Sequence, residues 1–231
     1  MEWRLLGIAC CTLFVVWIHR GPYPRAHICP APSRRELLEA LLIIALLLVV
    51  PYLRWNLLWY TNWLGPYLML GIWAPYVYET LLRRRDLTLM GVALPMNSGK
   101  LRAVVYVLAL FLVSKVVDPL HVSAGPYADI PWSWSAILVF PLVEEVLFRG
   151  LLQTRLEALL GTARAWLGSG LLFGAYHYYV NFVVMGRVPR TADLLSLAYL
   201  TVFGLLLGVI AAKTRSLMPS FLVHAINNLT L

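Results

Sequence analysis

Apolar runs broken by short charged or Pro/Gly-rich segments recur along this chain at lengths that predict helices throughout. The runs fall at about 3–19, 37–53, 56–78, 103–117, 132–152, 165–181, 192–212 and 216–231. Several are near the lower end of the roughly 17 to 25 residues that a helix needs to cross a bilayer. The second, "LLEALLIIALLLVVPYL", is nearly pure aliphatic and needs only to face lipid. The third, "NLLWYTNWLGPYLMLGIWAPYVY", mixes Trp, Tyr, Gly and Pro and suits an interface or a kinked, packed position. No internal repeat and no low-complexity linker divides the sequence. The pattern predicts an all-α fold: a polytopic transmembrane helix bundle of about eight helices, one integral membrane domain over residues 1–231.

Composition agrees. With 61% hydrophobic and 13% charged residues in 231, the chain is too apolar for a soluble domain of its length. The net charge of +8 raises the possibility of nucleic acid, but no basic stripe alternates with aromatics, and the cations fall in connections between apolar runs. Most of the 19 Lys and Arg lie in alternate connections: Arg20 to Arg35, Arg83 to Arg102, Arg149 to Arg164, and Lys213 with Arg215. Positive-inside topology then puts both termini outside the cytoplasm, and a prokaryotic inner membrane is compatible with the aliphatic bias. Cys10, Cys11 and Cys29 form neither a CxxC pair nor a zinc spacing. The run Leu5 to Ile18 has the length of a signal-peptide core but no A-x-A-like site follows it, so it is read as a retained first span.

Charge inside a span is what needs explaining. "PLVEEVLFRG" carries Glu144 and Glu145 into an apolar stretch, where an ionisable residue costs about 2.5 to 3.5 kcal/mol and normally has a partner or a task. Glu145 and Arg149 are at i and i+4, with the acid N-terminal, and can neutralise each other. Glu144 points about 100° away, towards another neighbour. A purely structural clasp is the competing account of these three charges. In later spans Phe173 with His177, and His224 with Asn228, share the same i, i+4 spacing. Taken singly, His177 could be an interfacial belt residue and His224 a packing histidine.

Depth ties them together. At about 1.5 Å per residue, Glu144 lies roughly 16 Å from Arg155, His177 roughly 20 Å from Arg164 and His224 roughly 14 Å from Arg215. The spacing predicts one buried site open to water from the cytoplasmic side. A carboxylate and a neutral imidazole can position and deprotonate a water. A second histidine and an amide can donate to the oxyanion that forms when that water attacks a carbonyl. The set suits peptide-bond hydrolysis. Glu with two His also resembles a zinc shell, with Asn228 a weaker oxygen ligand, yet no H-E-x-x-H is present and zinc is not required. No cofactor is expected.

Glu144, Glu145 and Arg149 as E-E-x-x-x-R, Phe173 and His177 as F-x-x-x-H, and His224 and Asn228 as H-x-x-x-N occur in that order across 132–231. In this they resemble the CPBP family of intramembrane proteases, which includes the CAAX endopeptidases and bacteriocin-processing proteins. The resemblance implies a glutamate-dependent endopeptidase with its catalytic core in 132–231. In it Glu144 and His177 activate water, His224 and Asn228 form the oxyanion hole, and Glu145, Arg149 and Phe173 support the site. Asn227 is set aside because Asn228 is the one that shares the histidine's face. The final span, with three residues after Asn228, is expected to be a half-crossing or to stop inside the bundle. The expected partners are the bilayer and a membrane protein or peptide substrate: a prenylated CAAX protein, a leader peptide or a C-terminal sorting tail. The alternatives are a proton-coupled transporter using the buried Glu and His as a relay, and an inactive membrane scaffold.

Overall fold

A computed structural model describes residues 2–20, 23, 33–56, 74–78, 138 and 140–229. The expected spans 103–117 and, apart from the single turn Ala74–Val77, 56–78 lie outside the described residues, as does most of 132–139. The described residues are all-helical, without a strand. They form α1 (Glu2–His19), α2 (Arg34–Asn56), α3 (Phe140–Glu145), α4 (Gln153–Leu160), α5 (Thr162–Tyr178), α6 (Thr191–Thr214) and α7 (Leu217–Leu229). A π-helical stretch, Val146–Leu152, joins α3 to α4 without a break, and a second, Tyr179–Val184, extends α5. Among these, α6 is long and apolar enough to cross a membrane by length and composition.

Close approach of α5 and α6 organises the bundle. Gly170 and Gly174 on α5, and Gly204 and Gly208 on α6, each have the G-x-x-x-G spacing. A Cβ on Gly170 would come within 2.7 Å of the Leu205 backbone nitrogen, and one on Gly204 within 2.9 Å of the Gly170 carbonyl. In lipid the solvent gives no apolar driving force between helices, so small residues that let backbones touch supply the packing. These repeats, plain in the sequence, were the missed signal for which helices pair. The pair contributes the fully buried Phe173, Phe203, Leu206 and Leu207 to the core, which Phe148 joins.

Side-chain to backbone bonds lock the π-helical stretch onto α6. Arg149 Nη2 donates to the Gly204 carbonyl (2.9 Å), and one turn on, Gln153 Nε2 donates to the Gly208 carbonyl (3.0 Å). Carbonyls of the stretch also accept from Ser169 Oγ of α5, at Phe148, and from Thr154 Oγ1 of α4, at Gly150 and Leu151. Carbonyls displaced by the wider π turn thus keep partners, as membrane depth demands. The helix ends at Gly161, whose φ of +80° suits a residue without Cβ.

Helix α2 is inside-out. Glu36, Glu39, Ala40, Ile43 and Leu47 are buried, while Leu37, Leu38, Leu41, Leu42, Leu48 and Val49 are exposed. The acids face the bundle and the leucines face outward, the reverse of a soluble amphipathic helix. This corrects the expectation that the second span needs only to face lipid. Arg155 explains the acids: its Nε lies 3.1 Å from Glu39 Oε2 and 3.8 Å from Glu36 Oε2, and its residue is 2% exposed. Tyr78 and Arg35 also bond Glu39, at 2.7 and 3.2 Å. Arg155, taken from sequence as an aqueous boundary, is therefore a buried partner, and the helix carrying Glu144 runs past it to Leu160.

Breaking a buried ion pair on one side strands charge in low dielectric, at about 3 to 5 kcal/mol. Arg155→Leu is expected to destabilise the protein by that order, read as a lower thermal midpoint in detergent. An unchanged midpoint would show that the clasp to α2 contributes nothing.

Candidate active site

Three helices bring the predicted residues together. Glu145, at the end of α3, is completely buried, and its Oε1 takes two partners: Arg149 Nη1 at 3.2 Å and His224 Nδ1 at 3.0 Å, the latter reaching over from α7. Arg149 is equally enclosed. Its guanidinium lies 4.6 Å from the centre of the Phe173 ring while its other nitrogen holds the Gly204 carbonyl. The expected Glu145–Arg149 pair is thus present, and it holds a histidine as well.

His224 stands between the two acids. With Nδ1 on Glu145, its Nε2 faces Glu144 Oε2 at 3.6 Å. Glu144 and Glu145, adjacent in sequence, reach the same imidazole from two sides, and it is Glu144 that keeps some exposure, with 13% of its side chain accessible. His177 Nδ1 donates to the carbonyl of Phe173 one turn back (2.9 Å), which makes Nε2 the lone-pair nitrogen of the neutral ring. Phe173, fully buried, touches both histidines, with ring centroids 4.5 Å from His177 and 5.7 Å from His224. Its motif position is accounted for by that contact: one aromatic ring spaces both imidazoles and stacks the arginine.

Glu144, His177, His224 and Asn228 all line one cavity of about 990 Å³. Its wall mixes Phe140, Phe182, Leu197 and Leu200 with polar groups, and it extends to Arg187, Arg190 and Asp193 in the connection leading into α6. That connection is at the far end of the bundle from Gly161 and Arg215. Lys213 bonding the Arg20 carbonyl, Arg215 pairing with Glu157, and Arg155 beside the start of α2 gather those cationic segments at the other end. Depth measured from Arg155, Arg164 and Arg215 placed the opening at the cationic end. Among the described residues the cavity's lining reaches the connection into α6, at the opposite end.

Two asparagines of the lining were among the residues that escaped the sequence reading. Asn181 is one turn beyond His177 and donates from Nδ2 to the His177 carbonyl at 2.9 Å. The continued spacing Phe173, His177, Asn181 was its signal. Asn227, set aside in favour of Asn228, lines the cavity too. Residues three apart on a helix also share a face, so i+3 from His224 is as good a position as i+4.

Among the described residues no three His, Cys, Asp or Glu side chains converge at ligating distance, and one nitrogen of each imidazole is already engaged.

Residues 126–230, just under half of the chain, match the family model of the type II CAAX prenyl endopeptidases, Rce1-like. The family comprises membrane-embedded peptide-bond hydrolases that act on membrane-associated proteins, and this match does not favour the transport alternative. No curated protein and no solved structure matches the chain. All three motifs lie inside the matched segment.

Lysine cannot reproduce the fork by which Arg149 holds Glu145, the Gly204 carbonyl and the Phe173 face at once. Arg149→Lys is expected to keep the charge yet lower both thermal stability, by about 1 to 3 kcal/mol, and peptide cleavage. A variant indistinguishable from wild type in both would show that charge alone suffices.

Proposed function

We propose that this protein is a multi-pass intramembrane endopeptidase of about eight spans, a single membrane domain in a prokaryotic inner membrane. It hydrolyses a peptide bond near the prenylated terminus of a membrane-associated protein. The observation that carries the reading is that Glu144, His177, His224 and Asn228, from three helices, line one cavity. The family match over 126–230 supports the reaction class and the prenylated substrate. The cavity wall adds to this: its apolar side, Phe140, Phe182, Leu197 and Leu200, offers a surface for a lipid tail beside the polar groups that would take the peptide.

The residues divide the work as follows. Glu144 and the lone-pair Nε2 of His177 hold a water, and Glu144 takes its proton as the oxygen attacks the scissile carbonyl carbon. The oxyanion that forms accepts hydrogen bonds from the Asn228 amide and from Nε2–H of a His224 ring protonated at both nitrogens, its Nδ1–H being held by Glu145. The C–N bond then breaks as Glu144 returns the proton to the departing amine. Glu145 and Arg149 keep His224 oriented and take no proton. No metal enters any step.

The test is hydrolysis of a farnesylated CAAX peptide by the purified protein in liposomes, wild type against Glu144→Gln, with new protein termini profiled in cells expressing each. Glu144→Gln is expected to lower turnover by about 10² to 10⁴-fold, with insertion and thermal midpoint retained. Equal turnover by the two folded proteins would sink the proposal.

A further inference from the structure

The mechanism leaves one buried amide of the cavity unused. Asn227 is 1% exposed and lines the cavity beside Asn228. Its Oδ1 accepts a hydrogen bond from the Tyr199 hydroxyl of α6 at 2.6 Å. An asparagine amide has one acceptor end and one donor end. With the tyrosine on the acceptor, the orientation of the amide is fixed, and Nδ2 is the end of it that can donate.

Tyr199 is itself held. Its ring stacks on Phe203 (5.9 Å, 12° between planes), and Phe203 packs edge-on against His224 at 5.5 Å. On the other side stands α1, where Gly7 faces the ring so closely that a Cβ would lie 3.1 Å from Tyr199 Cε2. A bare backbone at this point allows the amino-terminal helix to press on the tyrosine. Helix α1 lies wholly outside the segment that matches the family.

We infer that Tyr199, backed by Gly7 of α1, is a positioning residue that fixes the Asn227 amide as a second hydrogen-bond donor for the developing oxyanion. The inference rests on the protease reading. It makes α1 part of the catalytic apparatus, because the register of Gly7 against Tyr199 sets where the amide stands. A donor that acts in the transition state alone raises kcat and leaves KM unchanged, which separates this role from a substrate-binding or merely structural one.

The experiment measures kcat and KM on the farnesylated CAAX peptide in liposomes, per folded protein, with the thermal midpoint followed in parallel. Tyr199→Phe removes the hydroxyl and keeps the ring. It is expected to lower kcat about tenfold with KM unchanged, and Asn227→Ala to lower it about 10²-fold. The double variant should be no slower than Asn227→Ala, since the hydroxyl acts through that amide. Gly7→Ala should lower kcat a few-fold in the wild-type background and not in Tyr199→Phe. Wild-type kcat in Tyr199→Phe, or additive losses in the double variant, would overturn the role of Tyr199, and an unaffected Gly7→Ala would overturn that of α1. Wild type and Glu144→Ala run alongside: if these two turn over equally, the protease reading fails and this inference with it, whereas a clear difference between them confines any failure to Tyr199.

Discussion

One carboxylate oxygen holds this site together. Glu145 Oε1 is ion-paired with Arg149 and hydrogen-bonded by His224 where none of the three is appreciably exposed. Transfer of a lone carboxylate to such a place is prohibitive, and the attraction of a cation repays the cost only when geometry is good and the remaining hydrogens are used. Arg149 pairs with Glu145 at 3.2 Å and adds one hydrogen bond, from Nη2 to the Gly204 carbonyl. α3, α6 and α7 are therefore joined at one point, and none can shift without stranding a charge. His224 inherits its position from this constraint, and with it the placement of Nε2 towards Glu144.

The arrangement is possible because α5 and α6 approach so closely. Glycines at 170, 174, 204 and 208 remove the side chains that would separate the two backbones. The same absence exposes the Gly204 and Gly208 carbonyls to Arg149 and Gln153, donors one turn apart on the helix opposite. Phe173 fills the space beside Gly204 and serves as the spacer for two imidazoles and a guanidinium. Packing, which in lipid must come from contact rather than from water's aversion to apolar surface, thus creates the acceptors that seat the buried charge.

Local spacing made the chemistry legible and left the environment hidden. Glu145 with Arg149, and Phe173 with His177, were readable at i, i+4 because a helix fixes those neighbours whatever surrounds it. The all-helical fold followed from the apolar runs for the same reason. What Arg155 touches could not be read: its partners lie 116 and 119 positions back in the chain, at Glu39 and Glu36, and long-range pairing leaves no trace in local period. An arginine at the end of an apolar run looks the same whether it meets water or two buried acids. The glycine repeats were legible and passed over. Asn227 was lost to a preference for i+4 over i+3 that helix geometry does not justify.

The two amino-terminal helices acquire a purpose from the places where they attach. Were they lipid anchors alone, any apolar face would serve, and the buried surface of α2 would carry no acids. Instead α2 grips α4, the continuation of the helix that bears Glu144, through Glu36 and Glu39 on Arg155. α1 meets α6 at Tyr199, the residue that holds Asn227. Each helix touches the Rce1-like segment at an element that carries or orients a group of the cavity. A hydrolytic site needs its donors and carboxylates fixed to within a few tenths of an ångström, and lipid supplies no such rigidity. Residues outside the family match therefore brace the site from two sides, which is the reason to expect that the matched segment alone would retain the motifs and lose their geometry.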